Sequence, residues 1–217
     1  MEQFAYGIEL PHGSRIMHGK RVNTRNALPA ELGVPGTLHI FNEGHAGDQA
    51  IPCFGGAFGV FPFDTTVRMP RHVHISLGAE NKRYVMEKIL VMNGVALAEL
   101  AGELFVIPPM TSVLIAPGVP HTWTAAPKGL DLQELGVCDS TIVSEGKFDA
   151  VFEYEDKTGF FPTAQTQRLH DIADYEACDL VEPIRIPEIS IKDIIKSAWF
   201  VWDGNIRKLS GETLEVR

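Results

Sequence analysis

The sequence predicts an all-β domain, a barrel or sandwich of short strands, and three observations predict it. Short β-branched and apolar runs recur at near-regular spacing through the middle of the chain. Turn chemistry separates them, as in Gly78-Ala79-Glu80-Asn81, Asn93-Gly94 and Ala101-Gly102-Glu103. Apolar and polar residues alternate in places, as in Leu130-Asp131-Leu132-Gln133, which is the period of a half-buried strand.

A length of 217 residues fits one domain with extensions, and 45% hydrophobic against 22% charged residues is ordinary globular composition. With 28 Asp+Glu against 19 Lys+Arg, the net charge is −9. No basic excess exists to displace counterions, so nucleic acid and anionic membrane are not expected partners. Cys53, Cys138 and Cys178 are far apart and form no CxxC, which argues against a disulfide framework or a cysteine zinc site and fits a reducing cytosol. The first residues lack a basic stretch followed by an apolar one, so no signal peptide is expected. The longest apolar run, 104–119, is broken by Pro108, Pro109 and Pro117 and is not a membrane span. The expectation is a cytoplasmic protein.

In chain order, residues 1–50 read as an arm packed on the barrel, with a strand near 37–41 and a helical turn near 29–32. His45 and Asp48 fall in a glycine-flanked loop, read as a polar turn. Residues 51–155 form the barrel, with strands expected at 58–63, 65–69, 72–77, 84–92, 95–100, 104–107, 112–116, 130–137 and 150–154. Asn93-Gly94 between two apolar strands predicts a hairpin, because both residues tolerate the positive φ of a type I′ turn. Residues 156–217 are a less regular extension. A short helix is expected within 163–178, and an edge or extended segment, set by two prolines, over 182–191. Ile191, Ile194, Ile195 and Ala198 have helical spacing. Trp199-Phe200-Val201-Trp202 is a dense apolar patch, for the core or for a dimer contact.

The chemistry concentrates between His72 and Trp123. His72 and His74 are two apart, so on a strand both imidazoles point to one face. Glu87 lies on the next strand, and His121 follows the turn Pro117-Gly118-Val119-Pro120. Three imidazoles and a carboxylate suit a first-row divalent ion and leave one or two positions for water, substrate or dioxygen. Glu80, among turn residues, is the rival carboxylate. His12, His18, His39, His45 and His170 lack this context and read as ordinary surface or core histidines.

The HxH pair, a glutamate seven positions before Gly94, and a Pro-Gly-x-x-His further on together resemble the two sequence motifs of the cupin superfamily. The resemblance covers roughly residues 55–140. It implies a double-stranded β-helix, the cupin jelly-roll barrel, and it implies His72, His74, Glu87 and His121 as metal ligands. Two features depart from the pattern. The gap between His74 and Glu87 is longer than usual, giving an enlarged hairpin over 75–86, and Met110 stands where a turn glycine is usual.

Cupin barrels bind small molecules at the barrel mouth. Trp123, two residues beyond His121, shares its inward face, and Met69, Phe61 and Gln133 are further pocket candidates. Glu87 and Tyr84 are candidate catalytic groups, although strict alternation turns Tyr84 away from Glu87. Arg71, Arg83 and Lys88 have the wrong parity to face inward. No Gly-x-Ser-x-Gly, Walker loop or GxGxxG before a helix occurs. The leading expectation is a non-haem Fe(II) dioxygenase cleaving a small enolisable or hydroxylated aromatic or carbonyl compound. One alternative is an isomerase or lyase using Mn, Ni, Zn or Fe as Lewis acid, with Glu80, Tyr84 or His45 moving a proton. Another is a non-catalytic small-molecule-binding cupin. A homodimer is expected from family habit.

Overall fold

The computed structural model describes residues 7–26, 37–41, 54–78 and 82–214. The arm holds strands β1 (Ile8–Glu9), β2 (Arg15–His18), β3 (Asn23–Asn26) and β4 (Thr37–Ile40). The barrel follows with β5 (Phe58–Asp64), β6 (His72–Ser76), β7 (Glu87–Gly94), β8 (Ala96–Leu100), β9 (Glu103–Ile107), β10 (Thr111–Ile115), β11 (His121–Ala125) and β12 (Lys147–Tyr154). The tail contributes β13 (Thr158–Pro162), helix α1 (Ile191–Ser197), β14 (Trp199–Trp202), β15 (Asn205–Lys208) and β16 (Thr213–Leu214).

The barrel strands form two antiparallel sheets in the orders β5-β12-β7-β10 and β6-β11-β8-β9. That order is a jelly roll. Ile89, Val91, Val113 and Ile115 of the first sheet pack against Ala98, Leu100, Phe105, Ile107 and Trp123 of the second, which makes the main core. Arm and tail lengthen these same sheets. β2 pairs with β10, β13 pairs with β6, and β14 runs parallel to β9. Trp199 and Val201 on β14 enter the main core, while Phe200 faces the other way into a second cluster.

The two sheets are covered differently, and their sequences carry the mark. On β7 and β10 burial alternates, because the outer face of the first sheet meets solvent. On β6 and β11 every residue is buried. Tail and loop residues Leu130, Leu132, Ile186 and Ile194 cover Leu97 and Val106 on the outside of the second sheet. Helix α1 forms where the isoleucine spacing predicts it. Ser190 caps it by accepting from the Asp193 amide, and Ile194 is its buried contact.

Several expectations give way. Residues 65–69 are not a strand, because the Asp64 carboxylate accepts from the Thr66 and Val67 amides and turns the chain. Residues 130–137 are a run of turns, started by Asp131, whose carboxylate accepts from the Gln133 and Glu134 amides. Residues 163–178 hold one 3-10 turn, Ile172–Asp174, instead of an α-helix. Asn93-Gly94 is not a hairpin turn, for β7 and β8 lie in different sheets. Gly94 (φ 66°) is the corner between them, and a Cβ there would come within 2.1 Å of the Lys147 carbonyl oxygen. Asn93 exchanges side-chain hydrogen bonds with Asp149, at the bulge in β12. The turn near 29–32, His45, Asp48, Cys53 and Glu80 lie outside the described residues. Among the described residues no helix is long and apolar enough to cross a membrane, and Cys138 and Cys178 are free thiols.

Candidate metal centre

Three strands begin at the site. His72 opens β6, Glu87 opens β7 and His121 opens β11. His121 and His72 are direct cross-strand partners, and His74 follows two residues along β6 on the same face. His72, His74, Glu87 and His121 are 1%, 2%, 4% and 1% exposed. One ligand atom from each lies within 4.8 Å of all the others.

The enlarged hairpin does not displace Glu87. Ser76 donates its amide to the Arg83 carbonyl and Val85 to the His74 carbonyl, and Ile75 bridges Tyr84. Across the insertion, residues 83–85 pair back on β6, and the chain returns in register. Met86 is then clamped on both sides, its carbonyl accepting from the Glu155 amide and its own amide donating to the Glu155 carboxylate.

Each imidazole is oriented from behind. The Nδ1 atoms of His72, His74 and His121 lie 2.9, 3.0 and 2.9 Å from the carbonyl oxygens of Pro70, Gly159 and Val119. A carbonyl only accepts, so each Nδ1 carries the proton and each Nε2 is left with a lone pair. Glu87 Oε2 sits 2.9 Å from His121 Nε2 and 3.3 Å from His74 Nε2. These are acceptors facing acceptors, buried and without hydrogen-bond partners. A cation among them resolves the conflict, and the donor set of three neutral imidazoles and one carboxylate fits a divalent first-row ion.

The electrostatics run the same way. Burial, reinforced by His121 and His74, holds the His72 imidazole well below its ordinary pKa and therefore neutral. Burial opposes ionisation of Glu87, but His74 and His121 outweigh it and hold the carboxyl well below the usual carboxylate range. A neutral His72 and an ionised Glu87 are the protonation states that metal ligation requires of them.

The strand order of the two sheets and a His-x-His, Glu, His cluster at one end of the barrel together decide the architecture. The fold is a cupin-type jelly roll. Among solved structures, a cupin 2 domain-containing protein from Halorhodospira halophila aligns at 13% identity and a TM-score of 0.35, over 67% of this chain and 77% of that one. A dTDP-4-dehydrorhamnose 3,5-epimerase from Bacillus anthracis, solved with TDP and pyrophosphate, aligns at 10% identity and a TM-score of 0.33, over 50% of this chain and 56% of that one. No family model and no curated protein matches the sequence. Those likenesses are distant, and it is the strand order and ligand geometry that make this barrel cupin-like.

Of the pocket candidates, Trp123 sits inside the cupin barrel, 1% exposed, with its indole Nε1–H unpartnered. Phe61 and Met69 pack against the same core. Gln133 does not line the barrel. It is exposed on the turns of 130–137, where its side-chain oxygen accepts from Thr141. Tyr84 is also corrected. It packs with Val73, Ile75 and Leu169 on the opposite face of β6, and its hydroxyl donates to the Asp171 carbonyl, so it cannot reach the cluster. Arg83 pairs with Glu155 and Asp156, Lys88 with Glu153, and Arg71 with Glu99, as their parity predicts.

Sequence reasoning missed the contribution of β12 and β13. Tyr154 ends β12 as the direct cross-strand partner of Glu87. Its ring lies 4.6 Å from that of His74, centroid to centroid. Burial, then the neighbouring Glu87 charge, push its phenol well above the ordinary value. Phe160 on β13 stacks on His72 at 3.6 Å and 22°, with 41% of its own surface exposed. Period-two alternation from Phe148 through Phe152 does place Tyr154 inward. Nothing local marks its pairing with Glu87.

Proposed function

We propose that this chain is a metal-dependent cupin enzyme, a non-haem Fe(II) dioxygenase acting on a small enolisable or hydroxylated aromatic or carbonyl compound. One observation carries the reading: three histidine Nε2 atoms and one carboxylate oxygen converge in a buried cluster while every Nδ1 is tied to a backbone carbonyl. A bound Fe(II) would supply Lewis acidity and redox chemistry with dioxygen.

The chain's own residues supply the rest. Their carbonyl anchors hold the three imidazoles in one orientation, with Nε2 aimed at the common centre. Glu87 contributes the one negative charge of the ligand set, so a divalent ion held there would keep a net positive charge suited to an enolate or phenolate oxygen. Phe61, Phe63, Phe148 and Phe152 form a continuous aromatic cluster in the barrel, with ring centroids 4.9–6.0 Å apart. An apolar barrel interior of this kind suits a flat apolar substrate better than a sugar. The Trp123 indole N–H is a buried donor without a protein partner, two residues along β11 from His121.

The test is metal analysis after purification without chelators, then oxygen uptake with a panel of catechols, diketones and hydroxyacetophenones. Stoichiometric iron and substrate-dependent oxygen uptake are expected. Turnover under strict anaerobiosis refutes the dioxygenase. A protein that binds no metal after reconstitution refutes both enzyme readings.

A further inference from the structure

The metal ligands lie on β6, β7 and β11, but a fourth strand reaches the site. We propose that Tyr154 is a positioning residue: its hydroxyl donates to the Glu87 carboxylate and holds Oε2 turned toward His74 and His121. The inference rests on the metal-site reading above and deepens it.

The geometry is specific. Tyr154 faces Glu87 directly across the β12–β7 ladder, and the Met86–Glu155 hydrogen bonds fix that register one residue on. Phe148, Ala150 and Phe152 of β12 all enter the barrel core or pack on it, and alternation brings Tyr154 to the same face. Its ring is held between His74 at 4.6 Å and Phe152 at 5.3 Å, on the same face as Glu87 across the ladder. A phenol at neutral pH is protonated, and toward a carboxylate it is a donor.

A glutamate ligand has two equivalent oxygens and three rotatable bonds. Left alone, it presents either oxygen or both. A donor on one oxygen leaves the other for the ion and fixes the plane of the group, which lowers the entropy lost on binding metal. Tyr154 thus does for the carboxylate what the Pro70, Gly159 and Val119 carbonyls do for the imidazoles. The chain then carries one orienting partner for each of its four ligands.

The test uses Co(II), whose visible spectrum reports coordination, on the wild type, Tyr154→Phe, Glu87→Gln and the double variant. Phe keeps the ring packing, and thermal melts of the metal-free proteins check the fold. Tyr154→Phe is expected to weaken Co(II) binding about 10- to 100-fold and to change the Co(II) absorption envelope. In the Glu87→Gln background the same substitution should add little, because there is no carboxylate left to orient. Unchanged affinity and spectrum in Tyr154→Phe overturn the proposal, and so does a loss that carries over in full to the Glu87→Gln background. A wild type that binds no Co(II) overturns the metal site itself and the proposal with it, and it is told apart because the unsubstituted protein already fails.

Discussion

Glu87→Gln should move two properties in opposite directions. Gln is nearly isosteric, so the packing of this 4%-exposed side chain survives. In the metal-free protein the carboxylate oxygen Oε2 faces His121 Nε2 at 2.9 Å and His74 Nε2 at 3.3 Å, acceptor against acceptor. An amide NH2 in that place offers two donors at hydrogen-bonding distance. Two neutral hydrogen bonds contribute about 0.5–1.5 kcal/mol each, hence about 1–3 kcal/mol together. For a chain of this length that raises the melting temperature by roughly 2–4 °C per kcal/mol. The metal-bound protein loses an anionic ligand, and its affinity should fall by at least about 100-fold, or about 2.7 kcal/mol. Scanning calorimetry in EDTA measures the first effect and competitive Zn(II) or Co(II) titration the second. If the Glu87→Gln variant melts below wild type in EDTA, the reasoning fails. The result would mean that protons on Nε2 already pair the histidines with Glu87, and that the cluster is a satisfied ionic network instead of a metal-ligand set.

Three further outcomes follow from the same structure. His12 and His18 are held down to about 4, burial being the main cause in both, with Arg168 adding to it at His12. Their folded pKa lies below the unfolded value of 6.5, so the unfolded chain binds more protons. Stability should therefore be full above about pH 6.5 and decline as pH falls toward about 4, and urea midpoints in EDTA that stay level across that window contradict the burial of these rings. Met110 holds a left-handed φ of 58° and is 42% exposed. Met110→Gly relieves about 1–2 kcal/mol of backbone strain against about 0.5–1 kcal/mol of glycine entropy, so the melting temperature should rise by a few degrees, and a fall counts against the strain. Phe160→Ala uncovers one face of His72; it should cost no more than about 1.5 kcal/mol of stacking while speeding metal loss to EDTA several-fold, as followed by the release kinetics, and an unchanged rate shows that Phe160 does not guard the site.

The sequence by itself determined the class of fold, the three histidines and the helix at residues 191–197. These are local facts. A period of two puts His72 and His74 on one face whatever else the chain does, and the isoleucine spacing at Ile191, Ile194 and Ile195 specifies a helical stripe. Tertiary structure decided what depends on partners distant in the chain. Asn93-Gly94 has the composition of a hairpin, yet it turns a corner between sheets, because β7 finds β10 and β12 while β8 finds β9 and β11. Leu130-Asp131-Leu132-Gln133 alternates like a strand, yet Asp131 caps a turn and the leucines bury against the outside of a sheet. Glu87 is brought to the histidines only because Arg83–Val85 pair back on β6 and restore the register after the insertion. Tyr154 reaches Glu87 through a ladder between residues far apart in the chain, and no local pattern encodes a pairing of that separation. A strand's face is set by its own alternation, but its neighbour is chosen by the burial of the whole barrel, and the orientation of Glu87 depends on that choice.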